Sequence, residues 1–201
     1  MGDVLEGYAA AAKNLIPRFE AMMPGAAFAP VLDLLPVRPV RVADLGAGTG
    51  RDAAWFARQG HRVLAVEPVR ALREAGEALH REIGLAWLDD RLPGLAETRK
   101  RGPFDLVTLC AVWQHLDEGA REAALAGLAA VTAPGGIVVM SLRHGPGATG
   151  RPVFEASPEA TVAAASRAGF GLLRRAEADS LQAGNRASEV RWTWLALQRR
   201  C

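Results

Sequence analysis

The chain has 201 residues, half of them hydrophobic, and its formal net charge is +2. A chain of this length suits one α/β domain with a sizeable buried core. Its apolar runs are all shorter than the roughly 18 residues that a membrane span needs, so no membrane partner is expected. The first residues are acidic and lack the basic and then apolar order of a signal peptide. The sequence therefore predicts a cytoplasmic protein.

The distribution of charge and cysteine narrows the possible partners. Basic and acidic residues alternate along the chain without a basic block, so nucleic acid is not an expected partner. The two cysteines, Cys110 and Cys201, lie far apart, which predicts neither a disulfide framework nor a metal site. We expect a protein without a metal that is a monomer or a homodimer.

The first 39 residues have helical character. Apolar residues recur at helical spacing from Leu5 to Met23, and Pro17 interrupts them, which predicts two short helices or one kinked helix. Pro24 and Gly25 should end the second segment, and a short helix is expected over 28–35. We interpret residues 1–39 as an N-terminal helical cap on a Rossmann-like domain that spans 40–201, the two forming a single structural domain.

From residue 40 onward, strands and helices alternate. Strands are predicted at 40–45, 62–66, 85–88, 104–109, 137–142, 171–178 and 190–198, and helices at 52–59, 69–82, 118–132 and 157–168, with a helix or turn near 93–100. This alternation predicts a mostly parallel sheet with right-handed crossovers. Only a turn region at 180–188 separates the last two strands, so they should form an antiparallel hairpin. The expected fold is a three-layer α/β/α sandwich on a seven-stranded, mostly parallel sheet with an antiparallel edge strand.

A glycine-rich turn follows the first strand and precedes a helix. Its sequence, Gly46-Ala47-Gly48-Thr49-Gly50, allows a tight turn and a close approach of a ligand to the backbone. Glu67 lies about 20 residues further on, at the end of the next strand, where a carboxylate can accept hydrogen bonds from both hydroxyls of a ribose. Together they predict a nucleotide-like cofactor.

The spacing of the glycines distinguishes between cofactors. A nicotinamide or flavin site favours Gly-x-Gly-x-x-Gly, but Arg51 occupies the position of the third glycine. A Walker loop and a Tyr-x-x-x-Lys pair are also missing from the sequence. The pattern favours a cofactor without phosphates and disfavours a nicotinamide-dependent reductase.

Five segments then occur in a characteristic order across residues 40–142. They are Val42-Ala43-Asp44-Leu45-Gly46-Ala47-Gly48-Thr49-Gly50, Val66-Glu67-Pro68, Leu88-Asp89-Asp90, Phe104-Asp105-Leu106-Val107 and Ala133-Pro134-Gly135-Gly136. In order and spacing they resemble the class I S-adenosylmethionine-dependent methyltransferases, small bacterial type. The resemblance implies S-adenosylmethionine as cofactor and S-adenosylhomocysteine as product.

The resemblance also implies which residues contact the cofactor. The set is Tyr8, Asp44, Gly46, Ala47, Gly48, Asp52, Glu67, Pro68, Leu88, Asp89, Asp90, Cys110 and Ala111. Within it, the glycine turn would face the methionine part, Glu67 would hold the ribose, and Leu88 with Asp89 would flank the adenine, with Asp90 as a rival to Asp89. Tyr8 would close over the cofactor or else pack in a helix core. Arg18 is a weaker candidate for contacting the cofactor carboxylate.

Residues after the fourth and fifth strands are candidates for acceptor binding and catalysis. His115 and His144 could act as a general base or have structural roles, since histidine titrates near neutral pH. The candidates for substrate contacts are Trp113, Gln114, Arg143 and Arg151, although packing or solvated roles stay open for each. An Asn/Asp-Pro-Pro-Tyr/Phe motif is missing after the fourth strand, which favours a small-molecule acceptor. The alternatives are an RNA or protein methyltransferase and a non-catalytic S-adenosylmethionine-binding module.

Overall fold

A computed structural model describes residues 2–201 and, from Val4 onward, their side chains. Its centre is a seven-stranded sheet in the order β3-β2-β1-β4-β5-β7-β6. The strands are β1 (Arg41–Leu45), β2 (Arg62–Val66), β3 (Ala86–Leu88), β4 (Phe104–Leu109), β5 (Thr132–His144), β6 (Phe170–Asp179) and β7 (Arg191–Arg199). Strands β1 to β5 pair in parallel, and β7 runs antiparallel between β5 and the outermost β6. The predicted seven-stranded, mostly parallel sheet is confirmed.

Helices cover both faces of this sheet. They are α1 (Gly2–Glu20), α2 (Pro24–Ala27), α3 (Arg51–Arg58), α4 (Arg70–Leu79), α5 (Ala96–Arg99), α6 (Glu118–Val131), α7 (Pro158–Arg167) and α8 (Ala183–Ala187). Leu125 and Leu128 of α6 pack with Ala165 of α7 on one face. Phe56 of α3 packs with Phe28 and Val31 on the other face, which completes the three-layer sandwich. Among residues 2–201, no helix combines the length and the apolar character that crossing a membrane would require.

Local sequence explains where these elements begin and why the central strands are buried. Asp117 and Ser157 precede α6 and α7, and their side chains accept hydrogen bonds from the N–H groups of Ala120 and Ala160. Such N-caps satisfy donors that the first helical turn leaves unpaired. In β1 every residue after Arg41 is buried, as expected for a parallel strand covered on both faces.

Helix α1 continues through Pro17 as one helix, which is one of the two forms predicted. Two other elements differ from the prediction, and the first is α2, which Pro24 and Gly25 open instead of only ending a segment. The helix predicted over 28–35 is a 3₁₀ helix, Ala29–Leu34. Packing explains the continuity of α1, because burial of its apolar face against α4 compensates the hydrogen bond that proline removes.

The C-terminal half differs in two further elements. Strand β5 begins at Thr132, and its pairing with β4 passes from Phe104↔Thr132 to Leu106↔Ile137, so the segment 133–136 bulges out of the ladder. Helix α8 lies within the predicted turn region 180–188. The division into a cap (1–39) and a domain (40–201) stays a prediction.

Candidate functional site

A cavity of about 200 Å³ lies at the carboxyl ends of the central strands. Strand order reverses between β1 and β4, and ligands of open α/β sheets bind where this happens. The lining from the sheet side includes Asp44, Gly46, Ala47, Gly48, Asp52, Glu67, Pro68, Asp90, Cys110 and Ala111, all of which were predicted as cofactor contacts. Helix α1 closes the opposite side with Val4, Leu5, Tyr8 and Phe19, and Met22 follows it in the lining.

The glycine-rich turn presents backbone to this cavity. Gly46 and Gly48 have φ angles of 70° and 59°, in the left-handed region that side chains disfavour. A Cβ at Gly46 would also lie 2.5 Å from Val112 Cγ2. The turn is held in place because Gly48 N donates a hydrogen bond to Glu67 Oε2 at 2.7 Å. Val69 N donates to the other oxygen, Oε1, at 2.8 Å.

Two buried carboxyl groups face the cavity with perturbed acidity. Burial, followed by the nearby charge of Asp52, raises the pKa of Asp44 to about 7, although the Thr108 hydroxyl donates a hydrogen bond to it at 2.7 Å. Burial likewise raises the pKa of Glu67 to about 7, against the opposing effect of its backbone N–H donors. Carboxyl groups with raised pKa values in a cleft are typical of functional sites. A bound cation would stabilise their ionised forms.

Arg51 lines the cavity, although the sequence pattern predicts no site role for it beyond its departure from the dinucleotide motif. Its guanidinium makes two hydrogen bonds to Asp52, Nε–Oδ1 at 2.8 Å and Nη2–Oδ2 at 2.7 Å. Nη1 also donates to the carbonyl of Phe19 at 3.1 Å, which ties the glycine-rich turn to α1. Its place directly after the last glycine was the signal that could have identified it.

Only one of the adjacent residues Asp89 and Asp90 lines the cavity in the segment after β3. Asp90 lines the cavity, and its carboxylate accepts hydrogen bonds from the N–H groups of Arg91, Glu97 and Thr98. Asp89 points away, is 65% exposed and pairs with Arg73 at 3.0 Å. Leu88 packs on the core beside it. Because successive residues of an extended segment point in opposite directions, only one aspartate reaches the cavity. The adenine contacts predicted for Leu88 and Asp89 have no support from this geometry.

The wall beyond β4 contains a strained residue. Ala111 has a φ angle of 58°, and its N–H donates a hydrogen bond to Ser141 Oγ at 2.8 Å. Left-handed backbone at a non-glycine residue costs about 1–3 kcal/mol and is found preferentially at functional sites. The strain turns the chain so that Cys110 and Val112 both border the cavity.

Tyr8 and His115 meet at the end of the cavity under α1. The Tyr8 hydroxyl lies 2.9 Å from His115 Nε2, and His115 Nδ1 lies 2.9 Å from the carbonyl oxygen of Pro152. A carbonyl only accepts, so Nδ1 carries the proton and Nε2 accepts from Tyr8. Burial lowers the pKa of His115, as do the charges of Arg151 and Arg143. The imidazole is therefore a neutral base at neutral pH.

The other predicted acceptor residues lie off this cavity. Trp113 is fully buried in the core and does not form a pocket wall. Gln114 Nε2 donates to the carbonyl of Ala111 at 2.6 Å. His144 donates to Thr193 Oγ1 at 2.7 Å, and that hydroxyl donates in turn to Glu177. Arg18 donates to Gln182, away from the cavity.

A second cavity of about 220 Å³ adjoins the first. The two share Val4 and His115, and the second is completed by Pro93, Asp117, Ala120, Pro152 and Phe154. Its lining is mainly apolar, and the Asp117 carboxylate is engaged as the N-cap of α6. His115 thus stands between two adjoining spaces.

Sequence comparison shows that residues 42–136 are similar to a known family. They match the family model described as "Methyltransferase domain". A ubiquinone biosynthesis O-methyltransferase from Rhodopseudomonas palustris is 35% identical over 103 residues, which are 51% of this chain and 39% of that protein. A protein-L-isoaspartate O-methyltransferase from Methylorubrum populi is 33% identical over 121 residues, 58% of this chain and 57% of that protein. The chain therefore matches less than two thirds of the length of either curated relative.

Structure comparison supports the fold along the entire chain. The Burkholderia thailandensis 1,6-didemethyltoxoflavin-N1-methyltransferase, crystallised with 1,6-didemethyltoxoflavin and S-adenosylhomocysteine, superposes with a TM-score of 0.79. The match covers 100% of this chain and 88% of that one at 17% identity. At this identity the likeness concerns the fold.

Proposed function

Because residues 42–136 carry a methyltransferase domain on the class I fold, we propose that this protein transfers a methyl group from S-adenosylmethionine to a small molecule. The observation that carries the proposal is the pair of buried carboxyl groups, Asp44 and Glu67, that flank the glycine-rich turn of the cavity. When bound, S-adenosylmethionine supplies a methyl group activated by a sulfonium cation. Such a cation suits a cavity whose two carboxyl groups have raised pKa values.

The residues present fit the rest of the cofactor. Each oxygen of Glu67 accepts one backbone N–H and keeps a lone pair, so the carboxylate can still receive both ribose hydroxyls. Gly46 and Gly48 line the cavity with backbone alone, so the methionine part could approach that backbone closely. Asp90 replaces Asp89 as our candidate for the adenine contact. Helix α1 would exclude water from above.

The proposed acceptor occupies the second cavity. This space adjoins the first at His115, so a molecule within it would lie next to a cofactor bound in the first. His115 Nε2 is the proposed general base for an acceptor that must lose a proton, since its lone pair faces Tyr8 Oη at 2.9 Å and Gln114 Nε2 at 3.3 Å and an acceptor could displace these contacts. The coverage by α1 favours a small acceptor over a macromolecule.

A protein acceptor is the second candidate. The specific observation in its favour is the 33% identity to the protein-L-isoaspartate O-methyltransferase. The two candidates differ in whether an extended peptide can reach the cavity beneath α1. Incubation with radiolabelled S-adenosylmethionine and either an isoaspartyl peptide or a small-molecule extract separates them, since labelled peptide would overturn the small-molecule acceptor.

The cofactor proposal is tested by calorimetric titration with S-adenosylmethionine, S-adenosylhomocysteine and NADH. We expect micromolar binding of the first two, lost or weakened about 100-fold in Glu67→Ala, which removes both the ribose acceptor and the anchor of Gly48. Glu74→Ala is the matched control, because Glu74 is an exposed residue of the neighbouring helix α4. NADH binding without S-adenosylmethionine binding would overturn the proposal.

A further inference from the structure

Two arginines beside Tyr8 and His115 carry charge that the protein does not neutralise. The Arg151 guanidinium lies over the Tyr8 ring, 5.1 Å from its centroid. Arg143 lies over Trp192 at 5.6 Å and donates to the carbonyl of Pro146 at 2.7 Å. Among residues 4–201, no carboxylate oxygen lies within 4.0 Å of either guanidinium.

Half-burial without a carboxylate partner distinguishes these two arginines from Arg51 and Arg73, which are paired, and from Arg91 of the cavity lining, which is unpaired but exposed. Arg51, Arg73 and Arg174 each contact a carboxylate. Arg143 and Arg151 are both half-buried. Burial lowers the pKa of Arg143, and the charge of Arg151 lowers it further. The Nε atom of Arg151 is buried without a hydrogen-bond acceptor. Like charges held together in a partly buried place, with an unsatisfied donor, lower stability unless an anion joins them.

The charges divide the site into two ends. Asp44, Asp52 and Glu67 stand at the glycine-rich turn, where a cationic cofactor is proposed to bind. Arg143 and Arg151 stand at the Tyr8–His115 end, where both lower the pKa of His115 by their charge. Glu67 is close enough to this end for its charge to raise the pKa of Tyr8, and Asp117 of the second cavity accepts a hydrogen bond at Oδ1 from Ala120 N.

We infer that the acceptor is an acid that binds as an anion, with its negative group against Arg151 and Arg143 and its neighbouring atoms against Tyr8 and His115. The inference rests on the proposed function, since it assigns the acceptor of that same site. A carboxylate or a phosphoryl group would satisfy the buried Nε of Arg151 and neutralise the pair. His115 lies within the influence of the same two arginine charges, and its Nε2 can take a proton from an acidic hydroxyl of the acceptor.

The test is a calorimetric titration of the protein saturated with S-adenosylhomocysteine. Benzoate and phenyl phosphate are the anionic probes, and benzamide is the neutral probe of the same shape. We expect millimolar binding of at least one anion and none of benzamide, and the stronger anion identifies the acidic group. Equal binding of benzamide and benzoate, or no binding of either anion, would overturn the inference.

Variants separate the anion site from the cofactor site. Arg151→Gln should weaken the anion about tenfold or more and leave the affinity for S-adenosylhomocysteine within about twofold of the wild-type value. Arg143→Gln provides a second variant if the first does not fold. Arg58→Gln is the matched control, because it removes the same charge from an exposed position at the end of α3. Loss of S-adenosylhomocysteine affinity in Arg151→Gln, with anion binding kept, would assign the arginines to the cofactor instead.

A wild-type protein that binds neither S-adenosylmethionine nor S-adenosylhomocysteine would contradict the proposed function itself. A protein that binds S-adenosylhomocysteine but neither anion would contradict only the assignment of the acceptor. The two failures are therefore distinguished in the same instrument and with the same protein sample.

Discussion

The hydrogen bond from Tyr8 to His115 stabilises the neutral form of the imidazole. Tyr8→Phe removes this donor but keeps the ring that Arg151 covers. We therefore expect the pKa of His115 to rise by about half a unit to one unit in the variant. The measurement is an NMR titration of the histidine ring nitrogens, which also reports whether Nδ1 carries the proton.

His61 provides the internal control for that titration. Burial lowers the pKa of His61, and its ring lies against Phe56 on the other side of the sheet. Its titration should be the same in both proteins. A pKa of His115 that is unchanged or lower in Tyr8→Phe would contradict the orientation of this hydrogen bond.

Asp44 lowers the free energy of unfolding of the ligand-free protein as the pH rises. The unfolded chain releases this proton near pH 4, whereas the folded protein keeps it until about pH 7. Between these values the unfolded state binds fewer protons, so the free energy of unfolding falls with pH and then levels off. Asp44→Asn cannot ionise, and its amide oxygen can still accept from Thr108.

The stability of Asp44→Asn should therefore depend on pH in a defined way. We expect the variant to match the wild type near pH 4 and to exceed it at pH 8 by on the order of 4 kcal/mol, while binding S-adenosylmethionine more weakly. Urea denaturation at both pH values measures the difference. A constant difference across this range would show that the carboxyl group is not the titrating cause.

Close packing of α1 against the loop after β5 connects two elements around the cavity. A Cβ at Gly7 would lie 1.8 Å from the carbonyl oxygen of Gly150. Gly7→Ala must therefore push α1 away from this loop, which should cost about 1–3 kcal/mol and weaken S-adenosylhomocysteine binding. Thermal unfolding and calorimetry check the two effects.

Gly25→Ala is the matched control for Gly7→Ala. Gly25 lies in α2, and a Cβ there would meet no atom within 4 Å. Its stability should stay the same or rise by up to about 1 kcal/mol, since alanine favours helix more than glycine does. Equal behaviour of the two variants would contradict the contact between α1 and the loop.

The regular elements of this fold could be predicted from sequence because their signals are local. β2 and β4 have the bounds that alternation and turn residues indicated, and Ser157 caps α7 as expected. Helix α8 was missed because five residues with a glycine and an asparagine carry little helical signal.

The site was predictable only in part. The glycine-rich turn and Glu67 follow from spacing along neighbouring strands. The choice between Asp89 and Asp90 depends on which way the chain leaves β3, and the role of Arg51 depends on contacts with α1. Both are set by tertiary packing, which a single sequence does not encode locally.

At the scale of the whole molecule, the two ends of the sheet have different relations to the cavity. Helix α1 lies across it, and Phe19 and Tyr8 line it, whereas β6 and α7 pack together at the other edge of the sheet and contribute no lining residue among those described. A ligand in the cavity would add contacts to α1 and to the sheet at once. Local opening of α1 would then require the ligand to be released.

Hydrogen exchange should therefore respond to S-adenosylhomocysteine at one end of the molecule. At about 100 times the dissociation constant the ligand stabilises the bound state by roughly 2.7 kcal/mol, so amides of α1 should exchange up to about 100-fold more slowly. Amides of α7 should change little, because α7 packs on β6 and contributes no residue to the cavity. Equal protection of α1 and α7 would mean that the cap opens only when the whole protein unfolds. Protection confined to α1 and the loop after β5 would instead support an N-terminal cap that closes over the bound ligand.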